Sequence, residues 1–379
     1  MAAATGSLVP TERGQWAFVP RPLPPAKLDH GRISRVLTEA AEAVGELNGI
    51  GRTVPNPYLL ITPLQRREAI SSSSMEGTYT TVDALLLAEA GANSDATTPD
   101  TREVLNYRRA LAQAIASLDS LPLCLRTLRD AHRTLLAHVR RDRGASVAPG
   151  EFKQHQNFIG AYDIEHARFV PPPPAETLAC LDALERYWHR DEDDGFNALI
   201  DAALIHYQFE TIHPFADGNG RVGRMLILLH LFMRKKISQP LLYLSPVFEA
   251  RKAEYIDRMF AVSRDGDWEG WIVFFLQVLR DAARETIVLA ERLIALQASY
   301  RVQMQQARRS SNLLTIIDYL FEQPVLTIPM IAERLDVTYK GAQKNVELLI
   351  AERVLSEVEG TSNPRYFAAR DIIKITSGK

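Results

Sequence analysis

Apolar residues recur at helical spacing through most of the chain. Ile33, Val36, Leu37, Ala40, Val44 and Leu47 share one face of a helix over Arg32–Leu47. Asn56 before Pro57 reads as an N-cap and a first-turn proline. They open a helix through Leu59, Leu60, Arg66 and Ile70 to about Met75, with Gly77 as its stop. The same spacing predicts helices at Val82–Ala88, Thr101–Leu118, Arg126–Val139, Ala175–Arg190 and Phe196–Thr211. It predicts three more at Arg221–Lys235, Pro246–Arg264 and Trp268 to about Ala307. Residues 1–30 are proline-rich and aperiodic, an extended arm with Trp16, Phe18 and Val19 to dock it.

Two stretches depart from this pattern. Within Gly150–Pro174, Asn157-Phe158-Ile159-Gly160 and Arg168-Phe169-Val170 alternate around a turn at Gly160–Glu165, and four prolines then forbid helix. This predicts a β-hairpin inserted into a helical body, and such a loop serves a site more often than a core. From Ser311 onward, helices at Ser311–Phe321, Ile328–Leu335 and Thr338–Glu352 precede strands at Val354–Val358 and Arg365–Ala368. That is the winged-helix order. The expected fold is mainly α: an arm (1–30), a helical domain (31–300) and a winged-helix-like domain (311–379).

The 379 residues carry 44 Lys plus Arg and 46 Asp plus Glu, and 46% are hydrophobic. This is ordinary globular composition, without the basic footprint of a nucleic-acid binder. The two cysteines, Cys124 and Cys180, exclude a disulfide scaffold and a cysteine-based zinc site, and suit a reducing, cytoplasmic setting. Met1–Ser7 has neither the basic start nor the apolar run of a secretory signal. The most apolar stretch, Met225–Met233, is far shorter than the roughly 20 residues that span a bilayer.

The informative string is His213-Pro214-Phe215-Ala216-Asp217-Gly218-Asn219-Gly220-Arg221-Val222-Gly223-Arg224, a tight loop between two helical patterns. Gly218 and Gly220 permit backbone conformations closed to other residues, and free N–H groups at a helix start bind anions. Arg221 and Arg224 share a face of the first turns, where cations oppose the helix dipole unless an anion lies between them. Asp217 is a hard oxygen ligand suited to Mg²⁺ on phosphates, and His213 can accept a proton near neutral pH. A phosphate cradle, a metal carboxylate and a general base without an internal nucleophile make the inventory for transferring part of a nucleotide to an external hydroxyl.

The string resembles the Fic family signature HxFx(D/E)GNGRxxR at every defined position. Leu204–Ile212 resembles the helix leading into it, Gly150–Pro174 the family's flap, and Lys252–Tyr255 and Gly266–Trp271 its downstream segments. The resemblance spans about residues 30–300 and implies a Fic-type helical bundle with a small hairpin flap. It implies protein AMPylation: AMP passes from ATP to a Tyr, Ser or Thr hydroxyl of a target protein, or of the chain itself, and pyrophosphate leaves. By position, His213 would deprotonate the hydroxyl and Asp217 would hold Mg²⁺. The backbone of Gly218, Asn219 and Gly220, with the Asn219 side chain, would cradle the α- and β-phosphates. Arg221 would meet the β-phosphate and Arg224 the γ-phosphate. Phe215 would pack beneath the loop. Phe158-Ile159-Gly160 would align the target segment by strand addition, with Ile159 and Gly160 on the adenine side, and Tyr255 would line the adenine pocket. Lys153 stands where the resemblance leads one to expect Arg, and Ile256 where a second tyrosine is common; both weaken the roles carried over there.

Ser72-Ser73-Ser74-Met75-Glu76-Gly77 ends the helix of about residues 57–77, and Ser72 and Glu76 share a face. The string is similar to the inhibitory motif (S/T)xxxE(G/N) of the class with an N-terminal inhibitory helix. The resemblance implies that Glu76 pairs with Arg224 in place of the γ-phosphate. In some relatives this glutamate also serves removal of AMP, so removal, or transfer of another phosphate-containing group, stays open beside AMPylation. A second alternative is an ATP-sensing winged-helix transcriptional regulator. Residues 311–379 hold eight Lys plus Arg and nine Asp plus Glu. Tyr339, Lys340, Gln343 and Lys344 could reach bases or phosphates, but this balance disfavours DNA and leaves protein docking or homodimerisation.

Overall fold

In the computed structural model, which describes residues 5–92, 97–138, 148–190, 197–307, 310–361 and 364–377, the proline-rich start is a hairpin and not an open arm. β1 (Gly6–Pro10) pairs antiparallel with β2 (Trp16–Pro20). Gly6 allows the close approach, because a Cβ there would meet the Phe18 ring at 2.4 Å. The Phe18 N–H donates to Val170 O at 2.8 Å, and the Phe18 ring lies against Phe169. The arm is therefore tied to the 150–174 segment by a backbone hydrogen bond and a ring contact.

That segment forms less ladder than its alternation predicts. Ile159 and Phe169 make one antiparallel bridge, with Gly160 turning at φ +86°. The prolines that follow lack N–H donors, so pairing stops there, and the outer partner comes from β2.

α1 (His30–Thr53) starts where the Asp29 carboxylate accepts the Gly31 N–H at 3.0 Å. α2 (Tyr58–Ser74) starts where Asn56 Oδ1 accepts the Tyr58 N–H at 3.1 Å. α3 (Val82–Glu89) and α4 (Pro99–Ser117) are capped by Thr81 and Thr98. α5 (Leu125–Leu135) and α6 (Pro174–Trp188) follow. α7 (Ala198–Ile212) and α8 (Asn219–Met233) are buried on almost every side, so they form the centre of the body. The expected helix over Pro246–Arg264 is two, α9 (Ser245–Ala250) and α10 (Lys252–Asp265). Arg251 between them leaves helical geometry at φ −118°, ψ 30°. α11 (Trp268–Gln306) runs the length of α1 and crosses α7, where the Trp271 indole N–H donates to Ala203 O at 2.9 Å. Phe196 and Val139, each an end of an expected helix, lie outside the described residues.

The C-terminal part comprises α12 (Ser311–Glu322), β3 (Val325–Thr327), α13 (Ile328–Leu335), α14 (Tyr339–Ala351), β4 (Ser356–Glu357), β5 (Tyr366–Ala368) and α15 (Arg370–Thr376). Its sheet is antiparallel in the order β3-β5-β4. β3 and α15 are additions to the expected order; three and seven residues are too short to show a period. Its apolar core is continuous with that of the body. α2 is held between the body and this part: Arg66 donates to Glu322 O at 2.6 Å and pairs with Glu89 at 2.7 Å. No helix among the described residues is long and apolar enough to cross a membrane.

Candidate active site

The site begins where α7 ends. His213 closes the helix in the left-handed region, φ 48°, which a residue with a Cβ adopts only under outside restraint. The restraint is visible. Lys153 Nζ donates to Ile212 O at 3.0 Å and to Asn157 Oδ1 at 2.9 Å. Asn157 Nδ2 donates to His213 O at 2.9 Å and to Phe215 O at 3.0 Å. Lys153 is thus turned to the loop's carbonyls, which agrees with withholding a phosphate role from it. Burial pulls its ammonium down to about 7.

The loop then closes on itself. Asn219 Oδ1 accepts the Phe215 N–H and Nδ2 donates to Phe215 O, both at 2.8 Å. These bonds use Oδ1 and one of the two Nδ2–H donors, so the Asn219 side chain shapes the loop that the resemblance reads as a phosphate cradle. Phe215 is fully buried beneath the loop, as expected, and stacks on His132 at 3.9 Å. The Gly150 N–H donates to His132 Nδ1, so Nε2 carries the proton and donates to Asp217 O at 2.9 Å. Burial lowers His132 to about 4, which keeps this tautomer neutral. Gly218, at φ +77°, then turns the chain into α8, and the half-buried Asp217 carboxylate accepts its N–H at 2.6 Å. Asp217 offers a hard oxygen to a cation beside a helix start.

The two arginines point to different partners. Arg221 pairs with Glu103 of α4 at 3.0 Å, both side chains buried, and lies 3.6 Å from Asp217. Arg224 donates to Ser72 Oγ, Ser72 O and Glu76 Oε1, each at 2.8 Å. Burial alone would raise Glu76, but the Arg224 charge outweighs it and holds the carboxyl below its ordinary value. Lys252 Nζ donates to Met75 O at 2.6 Å, so α10 fastens the end of the helix that carries Glu76. Gly77, at φ +79°, turns the chain away after Glu76.

A cavity of about 370 Å³ opens beside this pair. Of the residues singled out in the sequence, Glu76, His213, Gly220, Arg224, Tyr255, Ile159 and Gly160 line it. Ser72, Gly77, Asp217, Gly218, Asn219 and Arg221 do not. For Arg221 this departs from the expectation of a phosphate contact, because its guanidinium is sealed against Glu103. Tyr255 is almost wholly buried, and its hydroxyl donates to His206 Nε2 at 2.9 Å, because His206 Nδ1–H is given to Gly223 O. Ile256, Met259 and Phe260 supply the apolar wall. Burial, then the nearby Lys153, lowers His213 to about 4, so its imidazole is neutral and free to take a proton at pH 7.

Sequence reasoning missed His132, Asn157, Glu103, His206 and Glu210. Glu103 alone left a signal: a carboxylate on the same α4 face as Tyr107, Ala110 and Ala114, all buried. A charge on an apolar face asks for a buried partner.

Fold and loop together define a helical domain built around one glycine-rich helix start that faces a carboxylate-bearing helix. Residues 34–116 match the Fic/DOC family N-terminal model and residues 122–231 the Fic/DOC family model. The chain belongs to the Fic family. Proteins named protein adenylyltransferase Fic from Drosophila virilis and Drosophila melanogaster are 32% and 30% identical to it over 126 residues. Those residues are 33% of this chain and 24% and 23% of the two relatives, so the match spans about a quarter of their length. A Fic family protein from Desulfovibrio desulfuricans G20 superimposes over 92% of this chain and 98% of its own, with TM-score 0.58 and 19% identity. Fic-1 from C. elegans does so over 68% and 74%, with TM-score 0.53 and 16% identity. At these identities the two structures bear on the fold.

Proposed function

We propose that the chain transfers AMP from ATP to a hydroxyl side chain of a protein, with pyrophosphate as the leaving group, and that Glu76 holds it in a restrained state. The observation that carries this reading is the shared cavity of His213, Arg224 and Glu76. His213 takes the proton of the incoming Tyr, Ser or Thr hydroxyl, whose oxygen attacks the α-phosphorus as the bond to the β-phosphate oxygen breaks. Arg224 receives the terminal phosphate once Glu76 releases it. The N–H groups at the start of α8 face the remaining phosphate charge. Asp217, half-buried with carboxylate oxygen on the loop, fits as the residue that would hold Mg²⁺, which neutralises phosphate charge when bound. Most of the acceleration then comes from positioning and electrostatics.

The C-terminal part is read as a winged-helix module. Its flat charge favours a protein partner or a second copy over DNA. Two free cysteines suit a reducing compartment such as the cytoplasm.

The test is to incubate the chain, with Glu76 replaced by Gly, with Mg²⁺ and ATP labelled at either the α- or the γ-phosphate. Label should stay on protein from the α-position only. Retention from the γ-position, or none from either, overturns the reading. His213→Ala should lower incorporation by about 10²–10⁴-fold with ATP affinity unchanged.

A further inference from the structure

Glu210 lines the cavity but has no part in the chemistry above. It sits in the last turn of α7, three residues before His213. Its Oε1 is sealed from solvent and accepts no hydrogen bond among the described residues. The fold makes room for it: a Cβ on Gly223 would lie 2.1 Å from that oxygen. Gly220, one turn earlier on α8, makes the same room for Glu76 Oε1. So two carboxylates rest on two glycines in the first turns of α8, and Arg224 is hydrogen-bonded to Glu76. Burial and the Glu76 charge push Glu210 up to about 8 despite Arg224. A buried acceptor without a partner is costly, and such groups persist where a ligand completes them.

The chemistry of the cavity selects the ligand group. Phosphates near neutral pH carry no donor, so they leave an acceptor oxygen such as Oε1 unpartnered. The base end is walled by Ile159, Ile256, Met259 and Phe260, which offer no polar side chain. Between phosphate and base lies the sugar, whose hydroxyls are donors. We propose that Glu210 is a specificity-determining residue that accepts a hydrogen bond from a ribose hydroxyl of the bound nucleotide. This rests on the reading of the cavity as a nucleotide site. A carboxyl oxygen serves as acceptor in either protonation state, and its partner's absence in a deoxynucleotide leaves it orphaned again. Sites built this way reject the analogue that lacks the hydroxyl far more strongly than apolar pockets reject a lost methylene.

The test is equilibrium binding, by calorimetry with Mg²⁺ and the full chain, of ATP, 2′-deoxyATP and 3′-deoxyATP. The unmodified chain should bind ATP about tenfold or more tightly than at least one of the two. Glu210→Ala should bring that ratio to about one, whereas Glu210→Gln, which keeps an acceptor oxygen in place, should retain it. Gly223→Ala, whose Cβ displaces Oε1, should lower the ratio with Glu210 itself unchanged, so a poorly folded Glu210→Ala does not stall the test. Equal binding of all three nucleotides by the unmodified chain, or an unchanged ratio in Glu210→Ala, overturns the proposal. Absence of ATP binding by the unmodified chain overturns the nucleotide reading itself, a distinct result.

Discussion

Arg221 and Arg224 stand one turn apart on the same helix, and each pairs with a carboxylate from a distant segment, yet the two pairs are built differently. The Arg221–Glu103 pair is closed: the side chains are 1% and 3% exposed, and Glu103 sits in the second turn of α4 with Thr78 also donating to it. The Arg224–Glu76 pair is open on one side. Glu76 lies past the end of α2, its side chain 34% exposed, while Arg224 also holds Ser72. A buried ion pair inside rigid helices is hard to separate, because either partner left alone is an uncompensated charge. A pair with one partner on a helix end opens by moving a short segment into water. The first pair is a fastening for the start of α8; the second is a latch.

Removing the fastening should cost the most. Glu103→Gln leaves the buried Arg221 charge with only the partly exposed Asp217 carboxylate, 3.6 Å away, and a loss of about 3 kcal/mol is expected in chemical denaturation. A loss below about 1 kcal/mol would place Arg221 in the same class as Arg224 and erase the distinction. Removing the latch should change activity more than stability. Glu76→Gly should raise AMP incorporation about tenfold or more, and should cost less unfolding free energy than Glu103→Gln, because Glu76 is 34% exposed although Arg224 is only 2% exposed. A stable but no more active variant would show that the contact does not restrain transfer.

The smallest expected effect is that of pH. A carboxyl held below its ordinary value of 4.5 contributes a pairing that is complete above that pH and lost as pH falls through the lowered value. The gain from Glu76→Gly should therefore be constant between about pH 5 and 7. His213, lowered to about 4, stays neutral over the same interval in both variants. A gain that shrinks from pH 7 to pH 5 would mean that the latch titrates in this window and that the Arg224 charge does not dominate it.

Much of this site was legible because its parts are adjacent in the chain. The string from His213 to Arg224 sets a loop, a glycine turn at Gly218 and two cations on one helix start, and these follow from local geometry. Ser72 and Glu76 share a face for the same reason. Contacts that depend on remote segments left little trace. His132 is 85 residues from the Asp217 carbonyl it binds, and Glu103 is 118 from Arg221. The arm read as extended because prolines obscure a five-residue strand, and its partner in the 150–174 segment could not be seen from either side. Helix α10 lost its continuity with α9 at Arg251, where apolar spacing gives no warning.

The sequence by itself determined the helical body, the loop that carries His213, and the residue types able to handle a phosphate and a proton. Hydrophobic period and glycine placement act over a few residues, so they can be read there. Only the tertiary structure decided which arginine faces the cavity and which is sealed, that Asn219 and Lys153 serve the loop, and that Glu210 Oε1 is buried with no hydrogen bond among the described residues. Those outcomes turn on burial and charge pairing between distant segments, and an ion or an acceptor has its energy set by what surrounds it.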